Sequence, residues 1–90
     1  MVALVHIPAH MQHATNGAVS IEIPGEKLGQ VIDLLIQKNP HLGEEILING
    51  SIRSDLAIAI DSEITENGLL EKVGENSQIF FIPALGGGAR

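Results

Sequence analysis

The chain has 90 residues, 44% of them apolar, with Phe80 and Phe81 alone among Phe, Tyr and Trp, and no cysteine. That is enough for one modest aliphatic core, and it excludes a disulfide scaffold, a thiolate nucleophile and a cysteine-ligated metal. Eleven acidic residues against five basic ones give a formal charge of −6, which opposes binding to nucleic acid and suits either a basic protein partner or simple solubility.

The opening VALVHI reads as a strand stopped by Pro8. A polar stretch from His10 to Gly17 reads as a loop. In the following AVSIEI, Val19, Ile21 and Ile23 alternate with Ser20 and Glu22, the period of a half-buried strand, and Pro24-Gly25 closes it. The two strands are expected to form a hairpin. From Glu26 to Asn39 the period changes. Leu28, Val31, Ile32 and Leu35 fall on one helical face, Glu26 favours the first turn, Lys38 the last, and Asn39-Pro40 is the stop. Gly29 inside this helix predicts a close approach to the sheet.

A short helical turn is expected over 42–47 and a reverse turn at Asn49-Gly50. DLAIAID then places Leu56, Ile58 and Ile60 on one face of a strand and Ala57 and Ala59 on the other. A brief strand over 63–65, a turn at Asn67-Gly68 and a helical turn over 69–73 follow. The last strand runs over 78–82, with Ile79 and Phe81 on one face and Phe80 and Ile82 on the other. This order predicts an α+β fold of the β-grasp kind, a mixed sheet crossed by one main helix. The expected domain spans 1–85, followed by a tail over 86–90.

In the ending FIPALGGGAR, Pro83 removes a ladder donor, and Gly86, Gly87 and Gly88 have no side chains to bury, so a flexible tail is expected. Three residues without Cβ atoms can thread a narrow channel and carry a terminal carboxylate to chemistry that bulkier residues could not reach. An inert flexible terminus is the plain reading of the same run. A phosphate cradle would need a helix after the glycines, and none follows.

Other candidates are poorer in chemistry. His6, His10 and His13 have no spacing that sets a metal geometry, Glu44-Glu45 reads as a solvated charge pair, and neither Ser51 nor Ser54 has an identifiable base. The chain is expected to be no enzyme and to bind no cofactor or metal. With no basic start to a leader and no run approaching the ~20 apolar residues of a bilayer span, a cytoplasmic location without membrane contact is expected.

The end IFFIPALGGG, together with the element order, resembles the ubiquitin-like sulfur carriers of the ThiS/MoaD type. In that family a last strand leads through a Pro-Pro/Ala step into an arm ending in Gly-Gly. Ile82, Pro83, Ala84 and Leu85 match the lead-in, and Gly87 and Gly88 match the pair. The segments VHIPAHMQHATNG and GEKLGQVIDLL look nearest the branch serving cysteine or homocysteine formation. The thiamine and molybdopterin routes use the same chemistry, and a non-catalytic β-grasp interaction module is the reading of another class.

The resemblance implies an ATP-dependent activating enzyme that adenylates Gly88, conversion to a thiocarboxylate, and a sulfur-accepting enzyme, with Gly86 and Gly87 supplying clearance. It also exposes a departure. Ala89 and Arg90 follow the diglycine, which implies trimming by a zinc metalloprotease of the JAMM/Mov34 type. Phe80, Ile82, Leu85, Ala57 and Ala59 are the expected docking residues for a partner.

Overall fold

The computed structural model describes residues 2–83. Strand β1 (Val2–His6) leads through a 3₁₀ helix (Ala9–Thr15) into β2 (Ser20–Pro24). Helix α1 (Leu28–Lys38), a 3₁₀ turn (Pro40–Leu42) and short α2 (Gly43–Ile46) come next. A small hairpin, β3 (Leu47–Ile48) and β4 (Ser51–Ile52), precedes β5 (Leu56–Ile60) and β6 (Glu63–Ile64). A 3₁₀ turn (Gly68–Leu70) then leads to β7 (Gln78–Pro83).

The main sheet has the order β2-β1-β7-β5-β6. β1 and β7 pair in parallel at its centre, and the other neighbours pair antiparallel. This is the expected mixed sheet with a helix across one face, a β-grasp fold. The inner face carries Ala3, Val5, Ile23, Ile58, Ile79 and Phe81, all buried. Against it α1 sets Leu28, Val31, Ile32 and Leu35, each fully buried, as their helical spacing requires.

The polar stretch over 10–17 is not a plain loop. It winds as a 3₁₀ helix that buries Met11 and Ala14, three residues apart and therefore on one side of such a helix. Two apolar residues among histidines carry too little periodicity to announce this, whereas the open end of the core draws them in. Asn16, left-handed at φ 56°, ends the turn and returns the chain to β2. Of the three β2 residues expected to face the core, Ile23 is buried, Ile21 is half-buried and Val19 is exposed, because β2 begins only at Ser20.

Helix α1 also starts later than its pattern suggests. Glu26 lies outside the first turn, because residues 26–28 pair with the chain before β7: Val73 N–H donates to Glu26 O at 2.9 Å and Leu28 N–H to Glu71 O at 2.8 Å. The same pairing replaces most of the helical turn expected over 69–73: the 3₁₀ turn observed is Gly68–Leu70, which overlaps that range only at Leu69 and Leu70. Gln30 Oε1 closes the helix start, accepting from the backbone N–H groups of Glu26 and Lys27 at 2.8 and 3.3 Å. Gly29 approaches this turn rather than the sheet, since a Cβ there would lie 3.2 Å from Leu69 O. Asn49 and Gly50 both have positive φ, 54° and 82°, which matches the twist of a two-residue hairpin and explains β3 and β4.

A second left-handed pair, Asp61 and Ser62 (φ 52° and 80°), joins β5 to β6. Here no glycine lowers the strain, and hydrogen bonds hold the turn instead. Asp61 accepts from Ser77 Oγ and from Gln78 N–H, each at 2.9 Å, and Ser77 Oγ accepts from Gly74 N–H at 2.9 Å. The turn is thereby tied to the segment that feeds β7. Asp61→Ala should lower unfolding free energy by about 1–2 kcal/mol in urea titrations, with Asp61→Asn closer to the parent because Asn tolerates the left-handed region and keeps an acceptor.

Candidate functional site

The strand that leads toward the glycines is central, so its outward side chains lie in the middle of the sheet's open face. In β7 the pleat turns Ile79 and Phe81 inward, Phe81 being 4% exposed, and Phe80 and Ile82 outward, at 37% and 40%. Register then collects their neighbours. His6 lies beside Phe80 across the parallel pair, Ala57 beside Ile82 and Ala59 beside Phe80 across the antiparallel one, and Ile64 beside Ala59 at the edge. The result is a shallow apolar surface of Phe80, Ile82, Ile64 and half-buried Ala57.

Ala59 is the exception among the residues expected to dock a partner. It is 5% exposed, because its methyl sits between the larger cross-strand side chains of Phe80 and Ile64 and forms the floor beneath them. A residue the sequence offered only as a metal candidate takes part instead. The His6 ring stacks on Phe80 with centroids 4.3 Å apart and planes 1° from parallel. Its Nε2 is 3.0 Å from Gln78 Oε1. The alternation of VALVHI places His6 opposite Val5, but only the pairing of the first strand with the last sets it on Phe80.

The remaining candidates are dispersed. His13 Nε2 is 3.7 Å from Glu45 Oε2, His10 is exposed, and Ser51 and Ser54 lie on the surface. Among the described residues no three metal-ligating side chains come together. Near Pro83, where β7 ends, lies an open cleft of about 430 Å³ lined in part by Glu44, Glu45, Arg53 and Asp55. Arg53 donates to Asp55 through Nε (3.0 Å) and Nη2 (3.3 Å), and through Nη1 to Glu44 O (3.2 Å). Leu85, Gly86, Gly87, Gly88, Ala89 and Arg90 lie outside the described residues. Among those described, no helix is long and apolar enough to cross a membrane.

The family comparison decides the class. The ThiS family profile matches residues 5–88. The chain belongs to the ThiS family. It is thus a ubiquitin-like sulfur carrier rather than an enzyme, and the match takes in both the described body and the glycine run. A sequence search of curated proteins finds no match.

Solved structures agree on the fold. The Amycolatopsis orientalis BexX/CysO complex contains a chain that superposes with a TM-score of 0.86 at 19% identity, covering 91% of this chain and 94% of that one. Mycobacterium tuberculosis CysO, described as an antigen, gives 0.83 at 23%, covering 91% and 98%. The small archaeal modifier protein 1 of Methanosarcina acetivorans gives 0.82 at 23%, covering 97% and 96%.

Two measurements check this description. Phe81→Ala should cost about 3–5 kcal/mol, as for a buried aromatic, and Phe80→Ala about 1 kcal/mol, as for the loss of one exposed stack, when both are followed by thermal unfolding. The hydrogen bonds from Arg53, with its charge, hold Asp55 below its ordinary 3.8. The small stabilisation this ion pair provides is therefore complete above the unfolded-state value and disappears as pH falls through the lower folded-state value. In an NMR titration, Arg53→Met should move the Asp55 midpoint up.

Proposed function

We propose that this carrier delivers sulfur from a thiocarboxylate at Gly88 in cysteine or homocysteine biosynthesis. The observation that carries the reading is the extent of the family match, which runs through the glycines and stops at Gly88, leaving Ala89 and Arg90 beyond it. The likeness in fold to two CysO chains supports the amino-acid route.

The chemistry follows from the peptide bond between Gly88 and Ala89. An amide carbonyl in mid-chain has no free carboxylate to attack ATP, so hydrolysis of this bond comes first, and a metalloprotease of the JAMM/Mov34 type suits the task. The freed Gly88 carboxylate then attacks the α-phosphorus of ATP on an activating enzyme, forming an acyl-adenylate and releasing pyrophosphate. Sulfide adds to the acyl carbon and AMP departs, leaving the thiocarboxylate. On a sulfur-accepting enzyme the thiocarboxylate sulfur displaces the leaving group of an activated serine or homoserine derivative, and hydrolysis of the acyl–sulfur bond then releases the thiol product and restores the Gly88 carboxylate. Gly86 and Gly87 allow the arm to enter a narrow channel, and the body supplies the docking surface of Phe80 and Ile82, with Leu85 extending it.

Intact-mass measurement on the protein from its native cells should reveal a species ending at Gly88, with part of it carrying sulfur in place of one carboxylate oxygen. A Gly88→Ala change in the chain trimmed to residue 88 should reduce adenylation, read as ATP–pyrophosphate exchange, by at least about 100-fold if the terminal methyl blocks in-line positioning. Finding only the untrimmed chain while sulfur demand is high would overturn the reading.

A further inference from the structure

We propose that His6 is the specificity-determining residue of the open sheet face, presenting a hydrogen-bond acceptor, Nδ1, to a donor on the activating enzyme. This rests on the carrier reading above. Histidine is the one side chain with ring nitrogens on a surface otherwise built here from Phe80, Ile82, Ile64 and Ala57. Its orientation is held from two sides, by the parallel stack on Phe80 at 4.3 Å and by Gln78 at 3.0 Å.

The bond to Gln78 also determines which nitrogen is free. An amide oxygen only accepts, so Nε2 carries the proton and donates, and in the neutral ring Nδ1 is left as the acceptor. Among the described residues Nδ1 has no hydrogen-bond partner, and no side-chain nitrogen or oxygen is buried without one. Among the described residues, then, nothing closes Nδ1 off from a partner's donor. Gln78 comes to this place because it lies opposite Leu4 in the parallel pair, one pleat below Phe80 on the same face. The acceptor is thus preorganised by the same register that builds the apolar surface.

The occupant follows from the length of chain beyond β7. Gly88 is five residues past Pro83, so an extended arm places its carboxyl within roughly 17 Å of the strand end. Phe80 is three residues before Pro83, roughly 10 Å along β7 in the opposite direction. An enzyme that encloses Gly88 and has ordinary protein dimensions can cover His6 and Phe80 at the same time. Once covered, the two groups act differently. Phe80 contributes area and tolerates many apolar partners, whereas Nδ1 requires an N–H or O–H within hydrogen-bond distance and penalises any partner that buries it without one.

The test uses the chain ending at Gly88 and the adenylating activity purified from the source cells, followed as carrier-dependent ATP–pyrophosphate exchange. His6→Phe keeps a flat ring on Phe80 and removes both nitrogens. It should raise KM for the carrier about tenfold or more, with kcat within about twofold, because the partner's donor is left unpaired while the arm is unchanged. His6→Asn, whose Oδ1 branches from Cγ as Nδ1 does, should recover much of that loss, and both variants are checked for folding by thermal unfolding. A KM unchanged in His6→Phe, or raised equally in both variants, would overturn the assignment of Nδ1. Absence of exchange with the unsubstituted chain in every fraction would instead remove the carrier reading, and this inference with it.

Discussion

The parallel pairing of the first strand with the last is the constraint on which the rest of the structure depends. Parallel neighbours cannot be joined by a tight turn, so everything between His6 and Gln78 must travel around and return to the same edge. That long path supplies the helix that covers the inner face and the strands that complete the sheet. It also places β7 at the sheet centre, held on both sides, so the strand leading into the glycine run is among the best anchored in the molecule. The last described strand is thus the most enclosed position in the sheet, with a hydrogen-bonded neighbour on each side.

The two faces of this sheet differ in kind. The inner one is an aliphatic core closed by α1 and by the 3₁₀ helix after β1, with Phe81 its single Phe, Tyr or Trp. The outer one has no helix laid across it among the described residues. There the side chains cover each other, Phe80 by stacking on His6 and Ala59 by lying under Phe80 and Ile64. Small residues on β5 keep this face shallow, which favours a broad, flat contact over a pocket.

Hydrogen bonding compensates where residue type does not favour the backbone. Asn49-Gly50 turns with a residue pair suited to positive φ, but Asp61-Ser62 makes a similar turn without glycine and relies on Ser77 and Gln78. Because Gln78 also orients His6 through its side chain, one residue links the bracing of the β5–β6 turn to the geometry of the open face.

Much of this was legible in the chain itself. The helix face of Leu28, Val31, Ile32 and Leu35, the alternation in β5 and β7, and the turn at Asn49-Gly50 all follow from local periodicity or local backbone preference, which a linear sequence records directly. The glycine run and its lead-in identify the family for the same reason. What required tertiary structure was every feature set by neighbours distant in sequence. The late start of α1 depends on pairing with residues 71–73, the burial of Met11 on an opening in the core, the burial of Ala59 on two cross-strand side chains, and the stacking of His6 on a β1–β7 register spanning more than seventy positions. Periodicity reports which way a side chain points along its own element; which side chain it meets is decided only when the sheet closes.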